Sequence, residues 1–119
     1  MCLEIERLTV RFGGLVAVDD VQFSVAANSI HSLIGPNGAG KTTVINAVTG
    51  LYPAARGSIR FLGQEIIGTP PHRISRAGVG RTFQNVELFP EMTVLENVLV
   101  GAHGGARYGS FSAMLRLAR

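Results

Sequence analysis

The amino-terminal part of the chain alternates apolar and polar residues with the period of two that is typical of β-strands. Apolar residues recur at alternate positions over Leu3–Phe12, and their parity changes once after Ile5. This pattern predicts a strand that is interrupted by a bulge or a turn. Residues 21–25 alternate in the same way and lead into a turn signal at 27–28. We therefore expect the chain to begin with antiparallel β-structure.

The next part of the chain changes from a strand pattern to a helical pattern. Residues 30–34 form a short, mostly apolar run that ends at Gly35, which predicts a buried strand leading into a tight loop. Three apolar residues with helical spacing follow the loop: Val44, Ile45 and Val48. They predict a helix from about Lys41 to Gly50. The predicted order is strand, glycine-rich loop, helix.

The remaining elements are marked by turn and capping signals. Residues 59–61 alternate again and are followed by a turn at Gly63, and Pro70–Ile74 has the prolines that open a short helix. Residues 93–96 have the spacing of a capping box, which predicts a helix to about position 102. Apolar residues at helical spacing over 111–118 predict a further amphipathic helix.

Composition narrows the class of protein. The 119 residues are 46% hydrophobic and 16% charged, which suits one globular domain or part of one. No apolar run approaches the ~18 residues that a membrane span requires, so we expect neither a signal peptide nor a membrane helix. Cys2 is the single cysteine, which excludes an intramolecular disulfide. The net charge of +3 comes mainly from scattered arginines, so we expect no nucleic-acid binding.

The strongest motif lies between the predicted strand and the predicted helix. It is the phosphate-binding pattern G-x-x-x-x-G-K-[ST], with one further threonine, and comprises Gly35, Pro36, Asn37, Gly38, Ala39, Gly40, Lys41, Thr42 and Thr43. Glycines let successive backbone N–H groups turn toward an anion, and the following helix adds its positive dipole end. Lys41, the only lysine, is expected to reach the β- and γ-phosphates, and the Thr42 hydroxyl to ligate Mg²⁺. The alternative is a plain strand-to-helix turn.

Enzymes with this phosphate loop also use an acidic residue at the end of an apolar strand to hold Mg²⁺. The apolar run 15–18 ends in Asp19 and Asp20, but it precedes the phosphate loop and belongs to the antiparallel region. We expect these two aspartates to lie at a turn, away from any Mg²⁺ site. The guanine-reading motif of GTPases needs a second lysine, so adenine is the favoured base.

Three segments resemble the nucleotide-binding subunits of ABC transporters, and more narrowly the ATP-binding subunits of branched-chain amino acid importers. They read GPNGAGKTT, RFGGLVAVDDVQFSV and GRTFQNVELFPEMTVLENVLVG. The resemblance implies an α/β P-loop NTPase fold of ABC type, with an antiparallel β-subdomain, a core sheet carrying the phosphate loop and helix, and the start of a helical subdomain. Residues 1–119 would be part of that domain, with 1–83 as β-subdomain and core and 84–119 as the glutamine loop and helical start.

The resemblance also assigns two site residues. Phe12 corresponds to the aromatic residue that stacks on adenine, and Gln84 to the catalytic glutamine that senses Mg²⁺ or the attacking water. From its position in an alternating strand alone, Phe12 also fits a core position. Gln84 alone fits a solvated turn. The three histidines have no metal-site spacing and are interpreted as structural or surface groups: His31, His72 and His103.

The implied activity is ATP hydrolysis with Mg²⁺, coupled to import of branched-chain amino acids. The implied partners are transmembrane permease subunits and a second ATP-binding subunit, as a homo- or heterodimer. The implied location is the cytoplasmic side of the cell membrane, through the permease, which the family meets near residues 87–90. The alternative at this segment is that Leu88 and Phe89 pack into the local core.

Two further functions remain open at this point. The family's signature motif, catalytic glutamate and switch histidine are not found within the 119 residues, so we expect this chain alone to bind ATP without hydrolysing it. The first alternative is therefore a nucleotide-binding fragment without hydrolytic activity. The second is an ABC-type ATPase that acts on DNA.

Overall fold

A computed structural model describes residues 1–85 and 88–102. The helices and strands among them are β1 (Leu3–Phe12), β2 (Leu15–Val25), α1 (Lys41–Val48), β3 (Arg56–Phe61), β4 (Gln64–Glu65), α2 (Pro71–Arg76) and α3 (Val94–Ala102). The chain divides into two units, Met1–Arg81 and Thr82–Arg119.

The first unit contains a four-stranded sheet in the order β2-β1-β3-β4, and every neighbouring pair is antiparallel. Phe12 pairs with Leu15 at the closed end of the β1–β2 hairpin. The register shifts after Ile5, and Arg7 adopts a positive φ of 49° there. The predicted antiparallel start and the interruption in β1 are both confirmed.

The prediction that Asp19 and Asp20 lie at a turn is wrong, because β2 runs through both residues. Asp20 has a φ of 51°, and its backbone N–H donates to Thr9 Oγ1 at 3.2 Å. Thr9 is only 2% exposed, so its hydroxyl needs partners within the protein. This contact holds β2 in an irregular but continuous strand beside β1.

The core lies between one face of the sheet and the helices α1 and α2. It consists of Ile5, Leu8, Val10, Val18, Val44, Ala47, Ile59, Ile66 and Ile74. The bounds of α1 and α2 agree with the predicted helices to within two residues. Of the three apolar residues that predicted α1, Val44 is buried whereas Ile45 is 43% exposed. The next residue, Asn46, is buried although it is polar, because its side-chain oxygen accepts a hydrogen bond from Arg81.

The prediction of a buried strand at 30–34 is also wrong. Within the described residues this segment has no strand partner and no backbone hydrogen bond to another segment. Ile30 is 98% exposed and Ile34 is 89% exposed. An apolar run is buried as a strand only when neighbouring strands flank it, and the described part of the chain supplies none. A cavity of about 550 Å³ lies beside the segment, lined in part by Leu33, Ile45 and Val48.

The second unit contains α3, whose start matches the predicted capping box. Glu96 accepts a 2.7 Å bond from the Thr93 N–H, and the Glu96 N–H donates to Thr93 Oγ1 at 3.3 Å. The Thr93 hydroxyl also donates to the Glu96 carboxylate, at 2.8 Å. The bonds that this carboxylate accepts from the Thr93 N–H and the Thr93 hydroxyl lower the pKa of Glu96. The helix predicted at 111–118 lies outside the described residues. Among the helices that the structure describes, none has the length and apolar character to span a membrane.

Candidate functional site

The phosphate-binding motif forms a loop that ends directly at α1. Gly40 is the N-cap of the helix, and Lys41 is its first residue. Gly38 and Gly40 have φ angles of 84° and 91°, which L side chains rarely adopt. A Cβ on Gly40 would lie 2.7 Å from the carbonyl oxygen of Ala17 in β2. The end of the loop therefore packs against the β1–β2 hairpin, and only glycine fits there.

The first turn of α1 offers backbone donors to a ligand. Gly40 makes no side-chain cap, and the first intrahelical bond is from the Val44 N–H to the Gly40 carbonyl, at 3.0 Å. Within the described part of the chain, the N–H groups of Lys41, Thr42 and Thr43 have no hydrogen-bond acceptor. Three such donors at the positive end of a helix dipole form an anion site.

Side chains add charge and oxygen to the same place. The Lys41 ammonium lies over the loop and donates to the carbonyls of Gly35 and Pro36, the latter at 2.7 Å. Thr42 is exposed and directly follows Lys41 in the first turn of the helix. The structure thus brings the predicted residues from Gly35 to Thr43 together in one cradle that suits a polyphosphate.

Phe12 lies at the closed end of the β1–β2 hairpin and is 42% exposed. Its ring forms a T-shaped pair with Tyr52, with 5.0 Å between ring centroids and 83° between ring planes. Tyr52 was not among the residues predicted for the site. The two rings are 40 positions apart, and no local pattern connects them.

Gln84 lies in the second unit and is exposed. Three positions before it, Arg81 donates to the Asn46 side chain and, at 3.4 Å, to Thr49 Oγ1. This network joins the end of the first unit to α1. It was not predicted either, because a polar residue on a buried helix face shows no sign in the sequence of its distant partner.

No cluster of three or more metal-ligating His, Cys, Asp or Glu side chains occurs within residues 1–85 and 88–102. His31 and His72 are exposed, and His103 lies outside the described residues. Among the described residues, the groups that could bind a metal–phosphate ligand at the start of α1 are therefore the N–H groups of the phosphate loop and the side chains of Lys41 and Thr42.

An antiparallel sheet packed on a helix that follows a phosphate-binding loop defines an α/β protein of the P-loop nucleotide-binding class. The ABC transporter family matches residues 18–118, and the chain belongs to that family. The resemblance drawn from the sequence is confirmed.

Two curated relatives are ATP-binding proteins of high-affinity branched-chain amino acid transport. BraF of Pseudomonas aeruginosa is 57% identical over 101 residues, which cover 85% of this chain and 40% of that protein. LivG of Escherichia coli K12 is 50% identical over 114 residues, which cover 96% of this chain and 45% of that protein. The chain thus spans less than half the length of these relatives.

Solved structures agree with the family. An ATP-binding cassette of an ABC transporter in its ADP conformation superposes with a TM-score of 0.79 at 36% identity. The match covers 96% of this chain and 45% of that one. A nucleotide-free cassette gives a TM-score of 0.78 at the same identity and coverage. The predicted fold class is therefore confirmed.

Proposed function

We propose that this chain is the nucleotide-binding part of an ATPase that powers the import of branched-chain amino acids. The observation that carries the proposal is the cradle at the start of α1, where three N–H donors and the Lys41 ammonium converge. The transported substrate is inferred from the named relatives, which are 57% and 50% identical over most of the chain.

The proposed ligand is ATP with Mg²⁺. Lys41 and the N–H groups of Thr42 and Thr43 would bind the phosphates, and Phe12 would stack on adenine. Thr42 is exposed and carries a hydroxyl, and Mg²⁺ prefers oxygen ligands, so this residue fits the metal. Bound Mg²⁺ would neutralise phosphate charge during phosphoryl transfer. We assign Gln84 as the residue that senses this metal or the attacking water. We assign residues 1–83 to the β-subdomain and phosphate-loop core, and residues 84–119 to the glutamine loop and the start of the helical subdomain.

Removing the Lys41 ammonium tests the phosphate site. Lys41→Ala should weaken MgATP binding at least tenfold, since a charge-assisted contact contributes about 1.5–3 kcal/mol. Isothermal titration calorimetry measures the affinity, and circular dichroism shows that the variant folds. Arg76→Ala, which removes an exposed cation from α2, is the matched control and should bind normally. Equal affinity in wild type and Lys41→Ala would refute the phosphate site.

The second candidate function is nucleotide binding without turnover. It is favoured by the lack of an LSGGQ-like signature motif within the 119 residues. A phosphate-release assay separates the two candidates: turnover near one per second in this chain, lost in Lys41→Ala, excludes the non-hydrolytic reading. Salt-dependent DNA binding would instead favour an ATPase that acts on DNA.

We further propose that Leu88 and Phe89 contact permease subunits at the inner face of the membrane, beside a second ATP-binding subunit. Both side chains are exposed, at 66% and 51%. Asn97 on α3 fixes the backbone of Phe89 through bonds to its N–H at 2.9 Å and its carbonyl at 3.2 Å. An exposed apolar pair beside a backbone that is fixed at Phe89 suits a docking contact.

Phe89→Glu should release the protein from the importer's permease subunits in a pull-down while MgATP affinity stays unchanged. Leu62→Glu is the matched control, because Leu62 is equally apolar and 63% exposed but lies in the first unit. Retained association of Phe89→Glu would exclude this contact.

A further inference from the structure

We propose that Tyr52 is a positioning residue for the nucleotide base: it holds the Phe12 ring so that a free ring face is presented to a purine. The inference rests on the proposed function, in which Phe12 stacks on adenine. It adds a residue that connects the base site to the helix of the phosphate site.

The geometry of the ring pair leaves Phe12 able to stack. In a T-shaped pair the edge of one ring meets the face of the other. Tyr52 can therefore cover at most one face of Phe12, and the Phe12 side chain remains 42% exposed. Tyr52 is itself 39% exposed, so the pair lies at the surface and outside the closed core.

Phe12 needs an external support because its own hairpin end is open. Gly13 and Gly14 form the turn, and an added Cβ on either would meet no described atom within 4 Å. The Phe12–Leu15 pair is the last pair of the hairpin. A flexible two-glycine turn does not fix the direction of an adjacent ring. The ring contact with Tyr52 supplies that constraint.

Tyr52 is firmly tied to α1. The N–H groups of Leu51 and Tyr52 both donate to the Asn46 carbonyl, at 2.9 and 3.3 Å. Gly50 turns the chain with a φ of 75°, and a Cβ there would lie 2.8 Å from Ile74 Cδ1. The loop that carries Tyr52 is therefore hydrogen-bonded to α1 and packed against Ile74 of α2.

The same helix thus serves both ends of the ligand. The amino-terminal turn of α1 forms the phosphate site, and the loop after its carboxyl end positions the aromatic ring. An eight-residue helix is about 12 Å long, so the loop that carries Tyr52 begins about that far from the phosphate site. A ring held at a fixed distance from the phosphate loop favours nucleotides over simple polyphosphates.

The test compares two ligands on the full 119-residue chain. MgATP reports the base and phosphate contacts together, and inorganic tripolyphosphate with Mg²⁺ reports the phosphate contacts alone. Tyr52→Ala should weaken MgATP binding about threefold to tenfold and leave tripolyphosphate binding unchanged. Tyr52→Phe keeps the ring and should bind MgATP like the wild type. If Tyr52→Ala does not fold, Tyr52→Leu replaces it. This variant also lacks the ring, so the same weakening of MgATP binding is expected.

A double-mutant cycle shows whether Tyr52 acts through Phe12. Phe12→Ala should weaken MgATP binding at least as much as Tyr52→Ala, and the double variant should lose no more than Phe12→Ala alone. Additive losses, or an equal loss of tripolyphosphate binding in Tyr52→Ala, would overturn the positioning role. If Phe12→Ala binds MgATP normally, both this inference and the proposed base site fail, while the Lys41 test of the phosphate site is unaffected.

Discussion

Gly38 and Gly40 have similar left-handed φ angles but different surroundings. A Cβ on Gly40 would meet the Ala17 carbonyl at 2.7 Å, whereas a Cβ on Gly38 would meet no described atom within 4 Å. Gly40→Ala should therefore lower the free energy of unfolding by about 3 kcal/mol, through both backbone strain and a clash. Gly38→Ala should lower the free energy of unfolding by only about 1 kcal/mol, because it introduces backbone strain without a clash.

Urea unfolding measures both values, from midpoints at an unchanged m-value. Equal losses in the two variants would show that the contact between the phosphate loop and β2 does not contribute to stability.

Glu65 is a surface carboxylate with an unusual set of donors. Burial pushes its pKa up, but the Ser58 hydroxyl and the N–H groups of Ile59 and Ile67 outweigh burial and hold the pKa below its ordinary value of 4.5. A carboxylate with a lowered pKa in the folded protein stabilises it above the ordinary pKa. That stabilisation is lost as the pH falls through the folded-state value.

Glu65→Gln should accordingly lower the Tm at pH 7, by an amount that corresponds to about 1 kcal/mol or less because the group is largely solvated. The Tm difference from wild type should stay constant down to about the ordinary pKa and shrink below it. Thermal unfolding between pH 3 and pH 7 measures this. A difference that does not depend on pH would contradict the role of the carboxylate charge.

The β3–β4 hairpin is closed by a turn whose residue types fit its conformation poorly. Leu62 and Gly63 have φ angles of 49° and 80°, and Leu62 is 63% exposed. Turns with two positive φ angles favour Asn-Gly. Leu62→Asn should therefore stabilise the protein by about 0.5 kcal/mol, and the control Leu62→Val should destabilise it, because β-branched residues strongly disfavour positive φ. Urea midpoints of the three proteins give the order.

Elements with local signals were predicted correctly from the sequence. The bounds of α1, the prolines that open α2, the bulge in β1 and the capping box at Thr93 each depend on residues close together in the chain. The wrong predictions depend on distant partners. Asp20 stays in β2 because Thr9 lies beside it, and Asn46 is buried because Arg81 reaches it from 35 positions away.

The same distinction applies to the whole site. The phosphate loop is one continuous motif, so its residues could be named from the sequence together with their chemistry. The partner of Phe12 could not, since Tyr52 is brought to it by the fold of the first unit. The roles of Phe12 and Gln84 came from family resemblance and stay predictions.

Residues 30–34 carry a consequence for handling the protein in solution. Within the described residues, this mostly apolar segment makes no backbone hydrogen bond to another segment. Exposed apolar chain with backbone N–H and C=O groups available for pairing is a template for β-sheet growth between molecules. The 119-residue chain should therefore form β-rich oligomers as its concentration rises, and Ile30→Lys should raise the concentration at which they appear about tenfold. Sedimentation and infrared spectroscopy follow the process. Leu62→Lys, an equally polar change in a closed turn, should leave that threshold where it was.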